Sequence, residues 1–272
     1  MTGFALDWLA LREPADAAAR APQLLAMARH YLEGVPEGSV VDLGSGTGST
    51  MRAFGETSAG WTLVDHDPAL LAAARSMLGA RDDATFLEAD LRDLDALPLE
   101  GASLVTASAL FDLVSADWLA EFAGRLVRER TALYAALSYD GTMVWEEQHE
   151  LDAVVVEAFN AHQAGDKGFG AALGPKAGEQ LVSHFVAGGF AVGVDDSTWR
   201  LEPGDLYTAF VEGVVDAVSQ TGRCDLDVLA QWRAFRLDRA RSGLCTVGHV
   251  DVLAVPKDDE GRGALRASEL TR

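Results

Sequence analysis

The sequence predicts an α/β fold, a doubly wound and mostly parallel sheet with helices on both faces. Three observations carry this. Residues 40–49 read V-V-D-L-G-S-G-T-G-S, an apolar run that breaks into Gly44, Gly46 and Gly48 and leads to Met51, Ala53 and Phe54. That is the pattern of a strand, a tight glycine turn and a helix, and such a turn brings backbone N–H groups close to a ligand. Short apolar runs then alternate with segments of helical apolar spacing. Finally, 49% of the 272 residues are hydrophobic, enough for one large core.

Residues 4–20 predict one or two short helices broken near Pro14, and 22–32 a second helix ended by Gly34. Strand one is 39–43, with its helix from about Thr47. Strand two covers 61–64 and stops at Asp65; Pro68 opens the helix that follows, with its apolar face over 69–78. Strand three is 84–87, followed by Asp90, and strand four is 103–107. A helix over 116–127 and strand five over 131–137 complete the alternation, and strands joined by helical crossovers imply a parallel sheet.

The rhythm changes over 139–176. Residues 141–143 predict a turn or brief strand and 151–162 a helix. Gly165, Gly168, Gly170 and Gly174 form an irregular loop around Asp166 and Lys167, costly to order unless it packs or binds something. Pro175 restarts a helix to 187. Strand six is 190–194, Thr198 and Trp199 lie in a loop, helices follow near 205–219 and 227–242, and 245–255 is the final strand. The polar tail from 257 ends in a surface helix or frays. The expected organisation is a helical cover (1–34), a ligand-binding core (35–138), an insertion after strand five (139–188), the rest of the sheet (189–256) and the tail (257–272).

Asp and Glu number 42 against 22 Lys and Arg, a formal charge of −20. Such a chain repels a nucleic-acid backbone and an anionic membrane. Cys224 and Cys245 make no disulfide framework. No basic-then-apolar leader and no run of membrane-spanning length is present, so a soluble cytoplasmic protein is expected. The six histidines are scattered, and no metal site is expected. The oligomeric state is not legible.

The glycine turn, followed by L-V-D-H-D-P at 63–68 and E-A-D-L at 88–91, resembles class I S-adenosylmethionine-dependent methyltransferases over roughly 35–137. The resemblance implies a Rossmann-like sheet of seven strands, one of them antiparallel, reached through a reversed pair that 190–194 and 245–255 would supply. It also implies S-adenosyl-L-methionine as cofactor. Asp42 and the turn residues Gly44, Ser45, Gly46 and Gly48 would lie by its methionine part, and Asp42 could meet the ammonium directly or through water. Asp65, with His66 beside it, would hold the ribose hydroxyls. Asp90 and Leu91 would flank adenine, with Asp90 accepting from its amino group. Ser108 would stand between cofactor and substrate. The N-P-P-Y tetrad of enzymes that methylate bases or glutamine is absent from 108–111, which argues against those acceptors.

The acceptor is expected to be a small molecule, bound where the chain departs from the common sheet. Trp8 on the first helix would be a wall and Arg12 or Arg20 a carboxylate ligand. Tyr139 and Trp145 would be apolar or cation-binding walls. Asp140, His149 and His162 are the candidate proton acceptors, although His149 could merely cap a helix and His162 could merely sit in the core. Lys167 would meet an anionic group and Trp199 would close the pocket. The acidic residues near Glu146 and Asp195 read as solvated surface. Rival readings are a dinucleotide-dependent oxidoreductase, which should carry G-x-G-x-x-G where Ser49 stands, an aminopropyl transferase, and a non-catalytic S-adenosylmethionine-binding protein.

Overall fold

The computed structural model describes residues 6–257. Helices α1 (Leu6–Ala19) and α2 (Pro22–Glu33) precede the sheet. Then come β1 (Ser39–Leu43), α3 (Ser49–Phe54), β2 (Gly60–Asp65), α4 (Pro68–Leu78), β3 (Ala84–Glu88), β4 (Leu104–Ser108), α5 (Ala116–Glu129) and β5 (Ala132–Trp145). The second half holds α6 (Asp152–Gln163), α7 (Ala177–Ala187), β6 (Phe190–Asp196), β7 (Trp199–Leu201), α8 (Asp205–Thr221), α9 (Leu226–Asp238) and β8 (Cys245–Pro256).

The helix starts follow local chemistry. Asp67 Oδ1 accepts from Ala69 N at 2.8 Å with Pro68 in the first turn of α4, and Ser115 Oγ accepts from Trp118 N at 3.2 Å to begin α5. The sheet order is β3-β2-β1-β4-β5-β8-β6, with β7 paired to β8 off that path. β1 to β5 pair in parallel, whereas β8 runs antiparallel to β5, β6 and β7. The reversed pair is therefore β6 with β8, as expected. This order puts the C-terminal ends of β3, β2, β1 and β4 side by side along one edge, where ligands of open α/β sheets bind.

The sheet has a core on each face. One packs Phe54, Trp61, Tyr134, Trp145 and Trp232 under α2, α6, α8 and α9; the other packs Leu43, Phe111, Leu119, Phe122 and Phe185 under α5 and α7.

Three local expectations are corrected. The break near Pro14 does not occur, and α1 runs through it. Proline removes one helical hydrogen bond, but the flanking turn is tied elsewhere: Arg12 pairs with Asp16, and Glu13 takes two bonds of 2.7 Å from Arg52. Residues 141–143 are neither a turn nor a separate strand. They extend β5, whose register irregularity against β8 between Tyr139 and Met143 takes up Gly141 at φ +92°. Trp199 is not in a loop but opens β7 on β8. Phe4 and the expected tail beyond Lys257 lie outside the described residues.

Candidate functional site

The glycine turn after β1 is the floor of a cleft. Gly44, Gly46 and Gly48 have φ of +61°, +52° and +80°, the region where a side chain is strained. Gly44, Ser45, Gly46 and Thr47 line the cleft, whereas Gly48 starts α3 and packs beneath it, where a Cβ would lie 3.1 Å from Leu63 and Leu78. The β2 end contributes Asp65 and His66, the β3 end Asp90, Leu91 and Arg92, and the β4 end Ser108, Ala109, Leu110 and Leu113. Above the floor lie Leu9, Arg12, Glu13 and Asp16 of α1, with Gly168 and Phe169 of the glycine-rich loop.

Asp65 is buried and ties two strand ends together. Its Oδ2 accepts from Gly46 N at 2.8 Å and its Oδ1 from Asp67 N at 3.0 Å, while His66 Nδ1 lies 3.3 Å from Oδ1. A carboxylate has about four acceptor positions, so lone pairs remain for a ligand hydroxyl pair. Asp90 is exposed and gripped by its neighbour Arg92, which holds its carboxyl down at about 2. An amino group approaching Asp90 must therefore share it with Arg92.

Asp42 lies below the cleft lining and has no exposed surface. Thr106 Oγ1 donates to its Oδ1 at 2.8 Å; its Oδ2 has no partner. Burial pushes its pKa up to about 7, against the opposing pull of Thr106 and Arg20. Arg20, also buried, follows α1 and reaches the same floor, where Nη2 donates to Ser108 Oγ at 3.1 Å and Thr50 Oγ1 at 3.4 Å. Its Nη1 has no partner, and neither has Ser45 Oγ. Behind Arg20, Asp251 is fully bonded by Tyr134 OH, Leu137 N and Ala21 N. The floor thus holds an unsatisfied carboxylate oxygen, guanidinium nitrogen and hydroxyl at the end of β1. Buried polar groups are ordinarily partnered, and these three suit a ligand carrying both an ammonium and a carboxylate. That is the donor set S-adenosylmethionine needs at its amino-acid end.

The acceptor-side residues divide. Arg12 lines the cleft and lies 5.0 Å over the Trp199 ring, whose Nε1 donates to Asp16 at 3.0 Å. Trp199 itself is buried beneath Arg12. Tyr139 is buried edge-on to Phe159 and His249 and donates to Asn160 Oδ1 at 2.8 Å. His162 is half-buried at the end of α6, its Nδ1 3.1 Å from Lys167 Nζ. Trp8 is half-buried against the core and does not line the cleft.

Three candidates are corrected. Trp145 is no substrate wall; the extension of β5 carries it away from the cleft into a cluster with Tyr207, Phe210 and Trp232, and the Arg236 guanidinium lies 4.3 Å over its ring. Asp140 turns back on its own chain and accepts from Thr142 N and Oγ1 at 2.8 and 2.7 Å. His149 is a cap, its Nδ1 accepting from Leu151 N at 3.2 Å and its ring 4.5 Å from Phe235. Neither Asp140 nor His149 lines the cleft.

Two groups escaped the sequence reading. Asp112, one residue from cleft-lining Leu113, is buried with Oδ1 unpartnered, and burial raises it to about 6 against Arg12 and Lys167. Its position just past strand four was the available signal. His249 on β8 is buried under Trp199 and depressed to about 4 by burial; nothing in its sequence surroundings marks it. Among the described residues no group of three or more His, Cys, Asp or Glu could hold a metal ion, and no helix is long and apolar enough to cross a membrane.

Residues 40–129 match a family model described as a methyltransferase domain. No curated protein matches the chain in sequence. Among solved structures, the YcgJ protein of Bacillus subtilis aligns at 12% identity and a TM-score of 0.52, covering 88% of this chain and 100% of its own. A Bacillus halodurans protein provisionally described as a methyltransferase aligns at 12% identity and a TM-score of 0.51, covering 87% of this chain and 100% of its own. At such identities the likeness is one of fold.

Proposed function

We propose that the chain is a class I S-adenosylmethionine-dependent methyltransferase that methylates a small-molecule acceptor, a reading supported by the match of residues 40–129 to a methyltransferase domain. When bound, S-adenosylmethionine supplies a methyl group made electrophilic by its sulfonium. The protein's part is to bind, orient and exclude water, because in-line displacement needs positioning more than covalent help.

In this reading Asp65 accepts from the ribose hydroxyls, each charge-assisted bond contributing about 1.5–3 kcal/mol. Asp42 and Arg20 would hold the ammonium and carboxylate of the methionine end, and Leu91 would flank adenine. The observation that supports a small acceptor is the cover. α1 and the Gly168–Phe169 rim both overhang the strand ends, leaving a cleft rather than an open face. The charge of −20 favours the same conclusion over a nucleic-acid substrate.

Calorimetry with S-adenosylmethionine, S-adenosylhomocysteine and NAD tests the cofactor side, and binding of NAD alone would overturn the reading. Incubation with methyl-labelled cofactor and a small-molecule extract tests the acceptor side. Label should appear in low-mass products; label only in protein or nucleic acid would contradict it.

A further inference from the structure

Arg12 and Asp16 stand about one helical turn apart on α1, so their side chains meet on one face. Arg12 Nε donates to Asp16 Oδ2 at 2.9 Å and Nη2 to Oδ1 at 3.2 Å. Asp16 is held in turn by Trp199 Nε1 at 3.0 Å, and the guanidinium lies 5.0 Å over the Trp199 ring. A carboxylate on one edge and an indole on one face thus fix its plane. The side chain keeps only 12% of its surface exposed, yet the residue lines the cleft.

A guanidinium carries five N–H donors in one plane. Asp16 takes two of them, along the edge formed by Nε and Nη2. The end edge, Nη1 with the second N–H of Nη2, bonds nothing among the described residues. Half a guanidinium left unbonded in a largely buried place is costly, and a planar oxyanion matches that edge with two parallel bonds. The other charges near it are spent. Glu13 accepts two bonds from Arg52, and Asp90 engages Arg92. Arg20 stands eight residues further on, about 12 Å along a helix axis, with its bonds going to Ser108 and Thr50. The two guanidiniums therefore serve different groups. Around Arg12 the cleft is apolar, with Leu9, Leu110, Leu113 and Phe169 as its walls. Phe169 is braced edge-on against Trp118 at 5.7 Å, and its loop is tied down by Leu173 N donating to Val114 O at 2.8 Å.

We propose that Arg12 anchors the acceptor, an apolar small molecule that carries one carboxylate, received end-on by Nη1 and Nη2. Asp16 and Trp199 are positioning residues that set the plane of the guanidinium. A single negative charge suits the place. A dianionic phosphate would meet one cation whose other edge already holds an acid, in a chain of charge −20. A cationic acceptor would leave the end edge unbonded and be repelled by it. This assignment deepens the methyltransferase reading with a small acceptor and rests on it.

The test is calorimetry on the full chain saturated with S-adenosylhomocysteine. The probes are phenylacetate, its neutral counterpart phenylacetamide, the dianion benzylphosphonate and the cation phenethylamine. Phenylacetate should bind at least about tenfold more tightly than the amide, the worth of a charge-assisted pair. Equal affinity of acid and amide overturns the subsite, as does binding of neither at millimolar concentration. Tighter binding of the phosphonate or of the amine overturns the carboxylate class. Arg12→Met should erase the preference for the acid while the amide binds as before; a preference that persists overturns the role of Arg12. Where Arg12→Met no longer binds S-adenosylhomocysteine, Arg12→Lys decides, because it keeps the charge on α1 without the fork. Its preference should fall to about threefold or less, and an undiminished preference overturns the anchor. Trp199→Phe keeps a ring under the guanidinium but frees Asp16. It should lower the preference for the acid by about threefold and leave amide affinity unchanged, whereas a merely structural role would move both probes together and overturn the positioning role. Failure of wild type to bind S-adenosylhomocysteine defeats the methyltransferase reading instead, and is distinct from every outcome in the loaded protein.

Discussion

Arg20 Nη2 donates to Ser108 Oγ across 3.1 Å, joining the segment between α1 and α2 to the end of β4. The same guanidinium bonds Thr50 and lies in the field of Asp42. Replacing it by Met leaves Ser108 and Thr50 without a donor and Asp42 without its nearby cation. Arg20→Met should cost about 1–3 kcal/mol of stability and lower the affinity for S-adenosylhomocysteine. Denaturant melts and calorimetry measure the two separately. Unchanged affinity would remove Arg20 from the cofactor floor.

Asp65 holds the turn by accepting from Gly46 N. Asp65→Ala should weaken S-adenosylhomocysteine binding by about 1–3 kcal/mol. Adenine alone, which has no ribose, should bind the variant as it binds wild type. An equal loss for both ligands would mean that the turn had collapsed.

Asp42 gives a pH signature. Its carboxyl rises from an ordinary 3.8 to about 7 on folding, so the folded chain holds more protons than the unfolded one between those values. Its contribution is full below about pH 4 and is lost as pH rises through about 7. His249 has the opposite sense: depressed to about 4, its contribution is present above its ordinary 6.5 and lost as pH falls through 4. Comparing wild type with Asp42→Asn isolates the first term. The stability of wild type relative to the variant should fall from pH 4 to pH 7, read by urea melts. A flat difference would show Asp42 ionised throughout.

Arg236 is a buried cation that pairs with Asp152, donates to Glu147 O at 2.7 Å and lies over the Trp145 ring. Arg236→Ala leaves Asp152 with only its bonds from Trp232 Nε1 and His149 N, takes the cation from over the Trp145 ring, and should cost about 3–5 kcal/mol. Because this cluster lies away from the cleft, S-adenosylhomocysteine affinity should be retained wherever the variant is folded. Loss of affinity in a folded variant would return Trp145 to the site.

What was legible in the sequence was local. The glycine turn, Asp65 and Asp90 announce themselves because a strand end, a turn and a helix start are written within a few residues. The helix caps at Asp67 and Ser115 belong to the same class. What was not legible depends on distant partners. Trp145 reads as a pocket wall until Arg236 and Trp232 pack against it. Pro14 reads as a break until Arg52 holds Glu13. Trp199 reads as a loop residue because β7 is only three residues long and its pairing with β8 is nowhere encoded nearby. Asp112 follows an apolar stretch and resembles an ordinary loop acid, and only the folded chain buries it with Oδ1 unpartnered.

β8 is hydrogen-bonded to β5, β6 and β7, and through Trp199 on β7 it reaches Asp16 on α1. The strand at the heart of the scaffold therefore also supports the helix that lines the cleft. Substitutions in β8 that displace β7 will therefore shift the Trp199–Asp16 hydrogen bond that seats α1 against the sheet.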